Sequence, residues 1–93
     1  MSKIKVTFSA ALTSVTNGEK ETITQASTLR ETLVGLADKY GTKFTEKIFD
    51  QTGRPKKFIN FYVNGKDTRF LSGLETQLKD GDEISILPAV SGG

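Results

Sequence analysis

The sequence predicts an α+β domain in which a mixed sheet of four to five strands packs on one main helix. Three observations predict it. Lys3–Ser9 and Phe58–Val63 alternate apolar and polar residues with the period of a half-buried strand. Leu29–Tyr40 repeats apolar residues at helical spacing, and the strand-like stretches fall on both sides of it. Ninety-three residues are enough for one core and too few for two.

Taken in order, "KIKVTFS" places Ile4, Val6 and Phe8 on one face and Lys3, Lys5 and Thr7 on the other. "TNGE" at Thr16–Glu19 is a turn signal, and "EKETITQ" beyond it is polar, with Ile23 as its one strong apolar residue. These stretches read as an N-terminal hairpin with a fairly long loop. Thr28 with Glu31 three residues on fits a capping box, and Leu29, Leu33, Leu36, Ala37 and Tyr40 form the stripe that follows. Gly41 terminates it. Phe44 and Ile48, four apart, mark a shorter segment before Gly53 and Pro55 break the pattern in "DQTGRPKK".

"FINFYVNG" is the strongest strand, with Ile59, Phe61 and Val63 on one face and Phe58, Asn60 and Tyr62 on the other. Asn64-Gly65 is a favoured type I′ turn. "KDTRF" reads as a short returning strand, and "LSGLETQL" as a turn or single helical turn that places Leu71, Leu74 and Leu78. After the tight turn "KDGD", "EISILP" is a last strand with Ile84 and Ile86 inward, ended by Pro88. The order is ββαβ(β)β.

Composition excludes several chemistries. Lys and Arg number 13 against 11 Asp and Glu, a net charge of +2 that demands no nucleic-acid partner. The chain has no His and no Cys, which removes disulfides, thiolate nucleophiles, Cys/His zinc sites and imidazole catalysis together. Asp80, Asp82 and Glu83 are too few oxygen ligands for a metal site and read as turn residues, so no metal site is expected. "LVGLADKYGTK" has no phosphate-loop pattern. No secretory or membrane-spanning segment is predicted, so a cytoplasmic protein without membrane contact is expected. "GRPKK" at Gly53–Lys57 is a compact basic cluster, read first as a solvated loop and otherwise as steering towards an acidic partner.

The stretch Val63-Asn64-Gly65, the run Leu78–Ile84 and the ending Pro88…Gly92-Gly93 resemble the ubiquitin-like β-grasp sulfur carriers of the MoaD/ThiS type. The likeness covers the whole chain and is strongest from Phe58 onward. Residues 41–57 are longer than the shortest family members allow, which favours the molybdopterin or cysteine-route type over the minimal thiamine type. The resemblance implies a β-grasp domain over residues 1–88 followed by a flexible tail, 89–93. It implies that the chain is no enzyme and has no catalytic residue or bound cofactor of its own. Instead, an E1-like partner using ATP and Mg²⁺ adenylates Gly93, and a persulfide donor converts it to a thiocarboxylate.

The chemistry of that expectation is direct. A carboxylate is a poor electrophile, because its charge repels nucleophiles and oxide does not leave; the acyl-adenylate removes both obstacles. The thiocarboxylate that follows is ionised at neutral pH and attacks an electrophile without a general base. Gly92 and Gly93, lacking Cβ, thread a narrow channel. Ala89–Gly93 reach roughly 15 Å at ~3.3 Å per residue, so Ala89, Val90, Ser91 and Gly92 would dock in a partner's groove. By parity Phe58, Tyr62 and Leu87 face away from the helix and form the expected partner surface. The resemblance points first to the large subunit of molybdopterin synthase as sulfur acceptor. Cysteine synthesis, tRNA thiolation and conjugation to target-protein lysines are the other destinations it allows.

Overall fold

The computed structural model describes residues 2–88, and Ala89–Gly93 lie outside them. Seven elements build the domain: β1 (Ser2–Phe8), β2 (Glu21–Ala26), α1 (Leu29–Tyr40), α2 (Thr42–Ile48), β3 (Ile59–Val63), β4 (Lys66–Asp67) and β5 (Glu83–Pro88). The strands form one mixed sheet in the order β2-β1-β5-β3-β4. β1 and β2 are antiparallel, with Ile4 opposite Thr24, as the predicted hairpin requires. β5 is central: it runs parallel to β1, with Val6 opposite Ile84, and antiparallel to β3, with Phe61 opposite Ile86.

Alternation decides the faces. Ile4, Val6, Ile59, Phe61, Val63, Ile84 and Ile86 are buried beneath the helical layer, where Leu29, Leu33 and Leu36 of α1 meet them. α2 adds Phe44 and Ile48, both fully buried. Phe8 lies edge-on to Tyr40 at 5.7 Å and to Phe44 at 6.4 Å, an aromatic cluster joining both helices to the end of β1.

The helix boundaries follow their signals with one variation. Thr28 Oγ1 accepts from the Glu31 N–H at 3.2 Å, but the Glu31 carboxylate reaches the N–H of Ser27 at 2.7 Å, one residue before the cap. Gly41 adopts φ 82°, ends α1 by donating to Ala37 O at 2.8 Å, and lets α2 begin at once in a new direction. Asn64 and Gly65 both have positive φ, as a type I′ turn needs.

Locally, the structure adds detail and shortens one strand. Within the long β1–β2 loop, Ala10–Val15 is a 3₁₀ turn that buries Leu12 completely. On β2, Ile23 faces outward at 52% exposure, while Thr22 and Ala26 point inward. The strand is pinned by its pairing to β1, and register outranks the single apolar residue. The returning strand after Gly65 is two residues long, because the Asp67 carboxylate accepts from the Arg69 N–H at 2.9 Å and turns Thr68–Phe70 into a 3₁₀ turn. Of the three leucines after it, Leu78 is buried, Leu74 half-buried and Leu71 exposed.

Candidate functional site at the end of the central strand

β5 ends at Pro88, opposite Ile59 at the start of β3. The chain therefore leaves the sheet from its middle, beside the loop that leads into β3. The end of β5 is held on both sides: Ser9 N–H donates to Ile86 O at 3.1 Å, and β3 pairs through to Pro88. Gly93, expected to carry the reactive carboxyl group, and Ala89, Val90, Ser91 and Gly92, expected to dock, lie outside the described residues.

The outer face beside this exit contains the other expected residues. Leu87 lies opposite Asn60, so Phe58 and Tyr62, two residues either side of Asn60, are its diagonal neighbours. Tyr62 and Leu87 are half-buried, and Phe58, just before β3, is 50% exposed. Asn60 lies among them with its Oδ1 shielded from solvent and without a hydrogen-bond partner among the described residues. Thr7 on β1 and Ser85 on β5 continue the face and bond to each other at 3.1 Å.

Flanking the exit is the basic loop. Asp50 organises it: its Oδ1 accepts from Thr52 Oγ1 at 2.5 Å, from Thr52 N–H at 2.8 Å and from Arg54 N–H at 3.2 Å. The Thr52 hydroxyl, with these backbone donors, holds the Asp50 carboxyl below its usual range. Phe49 bridges to Pro55, and Lys56 N–H donates to Ile48 O at 2.8 Å, so the loop is folded back on the end of α2. Arg54 and Lys57 are exposed, and Lys56 Nζ lies 5.8 Å from the centre of the Phe58 ring. Lys56, Lys57 and Arg69 rim a depression of about 200 Å³ floored by Leu29, Ile59 and Phe61. Arg69 is anchored there by Asp67, with Nη2 to Oδ2 at 2.7 Å; this pairing holds the Asp67 carboxyl below its usual range.

Of the acids read as turn residues, Asp80 and Asp82 serve the turn before β5, whereas Glu83 is the first residue of that strand, paired with Lys5. Asp80 accepts from Lys3 N–H at 2.7 Å, and Asp82 accepts from Lys79 N–H at 2.8 Å and from Asn64 Nδ2 at 2.9 Å. The Lys79 N–H, then Asn64, hold the Asp82 carboxyl below its usual range. Among the described residues no three His, Cys, Asp or Glu side chains cluster to hold a metal ion, and no helix is long and apolar enough to cross a membrane. A larger groove of about 760 Å³ lies on the helical side, between α1 and the segment around Phe49. The open sheet face is on the other side of the core. Sequence reasoning missed the depression, which needs Arg69 brought beside Lys56 and Lys57 across the sheet edge; the "D-T-R" turn was its only local signal.

A helix-covered mixed sheet with its central strand running out at one end defines the ubiquitin-like β-grasp class. The ThiS family model matches residues 6–93, and the chain belongs to that family of ubiquitin-like sulfur carriers. The sulfur carrier protein CysO of Mycobacterium tuberculosis is 36% identical over 97% of this chain and 98% of its own length. The solution structure of small archaeal modifier protein 1 from Methanosarcina acetivorans is 37% identical, with a TM-score of 0.89 over 100% of this chain and 98% of that one. The CysO chain in the crystal structure of the Amycolatopsis orientalis BexX/CysO complex is 34% identical, with a TM-score of 0.85 over 97% of this chain and 99% of that one.

Proposed function

We propose that this chain carries sulfur as a thiocarboxylate on Gly93. The observation that carries the reading is the placement of β5: the strand leading to the Gly-Gly end is the central one in the sheet, paired with β1 as far as Ile86 and with β3 as far as Pro88. A partner that grips the body thereby fixes the starting point of residues 89–93. In the proposed cycle an E1-like enzyme, using ATP and Mg²⁺, transfers AMP to the Gly93 carboxylate with loss of pyrophosphate. The terminal sulfur of a persulfide donor then attacks the acyl carbon and displaces AMP, and a thiol cleaves the acyl disulfide so formed, releasing the thiocarboxylate and leaving the donor sulfur and the thiol joined as a disulfide. Ala89–Gly92 form the lead that docks in the partner's groove, and Phe58, Tyr62 and Leu87 form the surface on which its body rests. The chain supplies no catalytic group, and the ATP-driven step sets the work in the cytoplasm.

Among destinations, the cysteine route has the most support, because the CysO relative matches almost the whole length of both chains. Molybdopterin synthesis and tRNA thiolation use the same carrier chemistry and come behind it. The likeness to small archaeal modifier protein 1 supports a second reading, in which the activated Gly93 forms isopeptides with target lysines.

Deletion of Gly92-Gly93 tests the proposal. The shortened chain is expected to fold and to lose all ATP–pyrophosphate exchange with its activating enzyme. Intact mass spectrometry of the full chain from cells is expected to show one oxygen exchanged for sulfur. A ladder of larger conjugates would support the modifier reading instead. Undiminished exchange by the shortened chain would sink both.

A further inference from the structure

The sheet's outer face accounts for the apolar contacts of a tail-gripping partner, but it leaves the basic edge unused. Arg54, Lys56 and Lys57 form no ion pair among the described residues, whereas Arg69 is held by Asp67. Register places this loop beside the exit: Ile59 is opposite Pro88, and Lys57 is two residues before Ile59. The loop is also ordered from within by Asp50 and the Phe49–Pro55 bridge, so its backbone is held in place and only the side chains have to be ordered by a partner. Together with Arg69, Lys56 and Lys57 surround an apolar floor of Leu29, Ile59 and Phe61. A cationic rim over an apolar floor fits a segment that offers one apolar side chain flanked by carboxylates.

We propose that this edge is a second docking element, which takes an acidic segment of the activating enzyme. The inference rests on the carrier reading above. The electrostatic reason is specific to activation. The tail brings a carboxylate towards a nucleoside triphosphate, an approach of like charges. Mg²⁺ offsets that repulsion at the phosphates, and an attraction through the body adds to it; this loop, two residues from the position opposite Pro88, carries cations without an ion pair among the described residues. Long-range attraction between a basic edge and an acidic surface raises the association rate and fixes orientation, and it weakens with salt.

The experiment is ATP–pyrophosphate exchange catalysed by the cell's own activating enzyme, with the full-length chain as varied substrate at low and high salt. The Lys56→Glu/Lys57→Glu chain is expected to show KM raised about tenfold or more at low salt, kcat within about twofold, and a flattened salt dependence. The single Lys57→Glu chain, which alters only an exposed side chain, is expected to move the same way by a smaller factor. Lys3→Glu/Lys66→Glu makes the same change in net charge at the opposite end of the sheet and is expected to leave KM unchanged. Equal KM values for the wild type and both loop variants would overturn the proposal, as would an equal rise in the Lys3/Lys66 chain. If the wild-type chain itself supports no exchange, the carrier reading falls and this inference falls with it.

Discussion

Tyr40 closes α1 and ties the long N-terminal loop to the helical layer. Its hydroxyl donates to Glu19 Oε1 at 2.5 Å, and Lys39 Nζ approaches the same oxygen at 3.5 Å while also bonding to Thr22 Oγ1 at 2.5 Å. Burial, then the bond to Glu19, push the Tyr40 hydroxyl up to about 12. The same bond, then Lys39, hold the Glu19 carboxyl below its usual range against the opposing effect of burial. A raised value means that the folded state keeps the proton. The Tyr40 contribution is therefore complete below the ordinary value of 10.0 and is lost as pH rises towards about 12. The Glu19 contribution has the opposite sign: it is present above 4.5 and is lost as pH falls through the lower folded value. The melting temperature is expected to decline between pH 10 and 12, and Tyr40→Phe is expected to flatten that decline relative to wild type. A pH–stability series by circular dichroism checks it. None of this network was visible in the sequence, since Glu19, Thr22 and Tyr40 are brought together only by the turn between β1 and β2.

At the scale of elements, the helix start was legible because capping is local chemistry. Thr28→Ala removes the acceptor for the Glu31 N–H and is expected to cost about 1 kcal/mol, with Thr28→Ser largely restoring it. Chemical denaturation at neutral pH measures both. Strands whose faces differ in polarity were equally legible, which is why β1, β3 and β5 fell where alternation placed them. β2 and the turn before it were not. Thr22 faces inward with Lys39 on its hydroxyl, so a polar residue occupies a core-facing position that polarity argues against. Thr16 is fully buried with its hydroxyl donating to Glu19 O at 2.8 Å, by the same logic. Leu12 and Val15, three residues apart, carried the period of a 3₁₀ turn, but two apolar positions are too few to distinguish it from an extended loop.

Across the whole molecule, the two faces of the sheet are unlike, and under the proposed function they divide stability from recognition. One face is sealed by α1 and α2, and the other remains open around Leu87. Leu87→Lys is accordingly expected to change stability by about 1 kcal/mol or less. It is also expected to raise KM for activation about tenfold, as truncating a central contact does. Loss of folding, or unchanged KM in a folded variant, would count against assigning that face to a partner. Parity foretold which side chains would share the face, because a strand has only two sides. The pairing that brings Phe58, Tyr62 and Leu87 together depends on the antiparallel alignment of β3 with β5, which lies in the register and not in either strand alone.

The central position of β5 also bears on synthesis. β1 is made first and β5 last, yet they are neighbours in the middle of the sheet. Until the residues up to Pro88 have emerged from the ribosome, β1 with β2 and β3 with β4 are two separate ribbons with no shared backbone pairing. Such non-local closure is slow compared with helix formation. It also means that a prematurely ended chain lacks the strand that unites its core and is exposed to aggregation and proteolysis. A body fit to be gripped thus exists only once the strand that ends at Pro88 is in place.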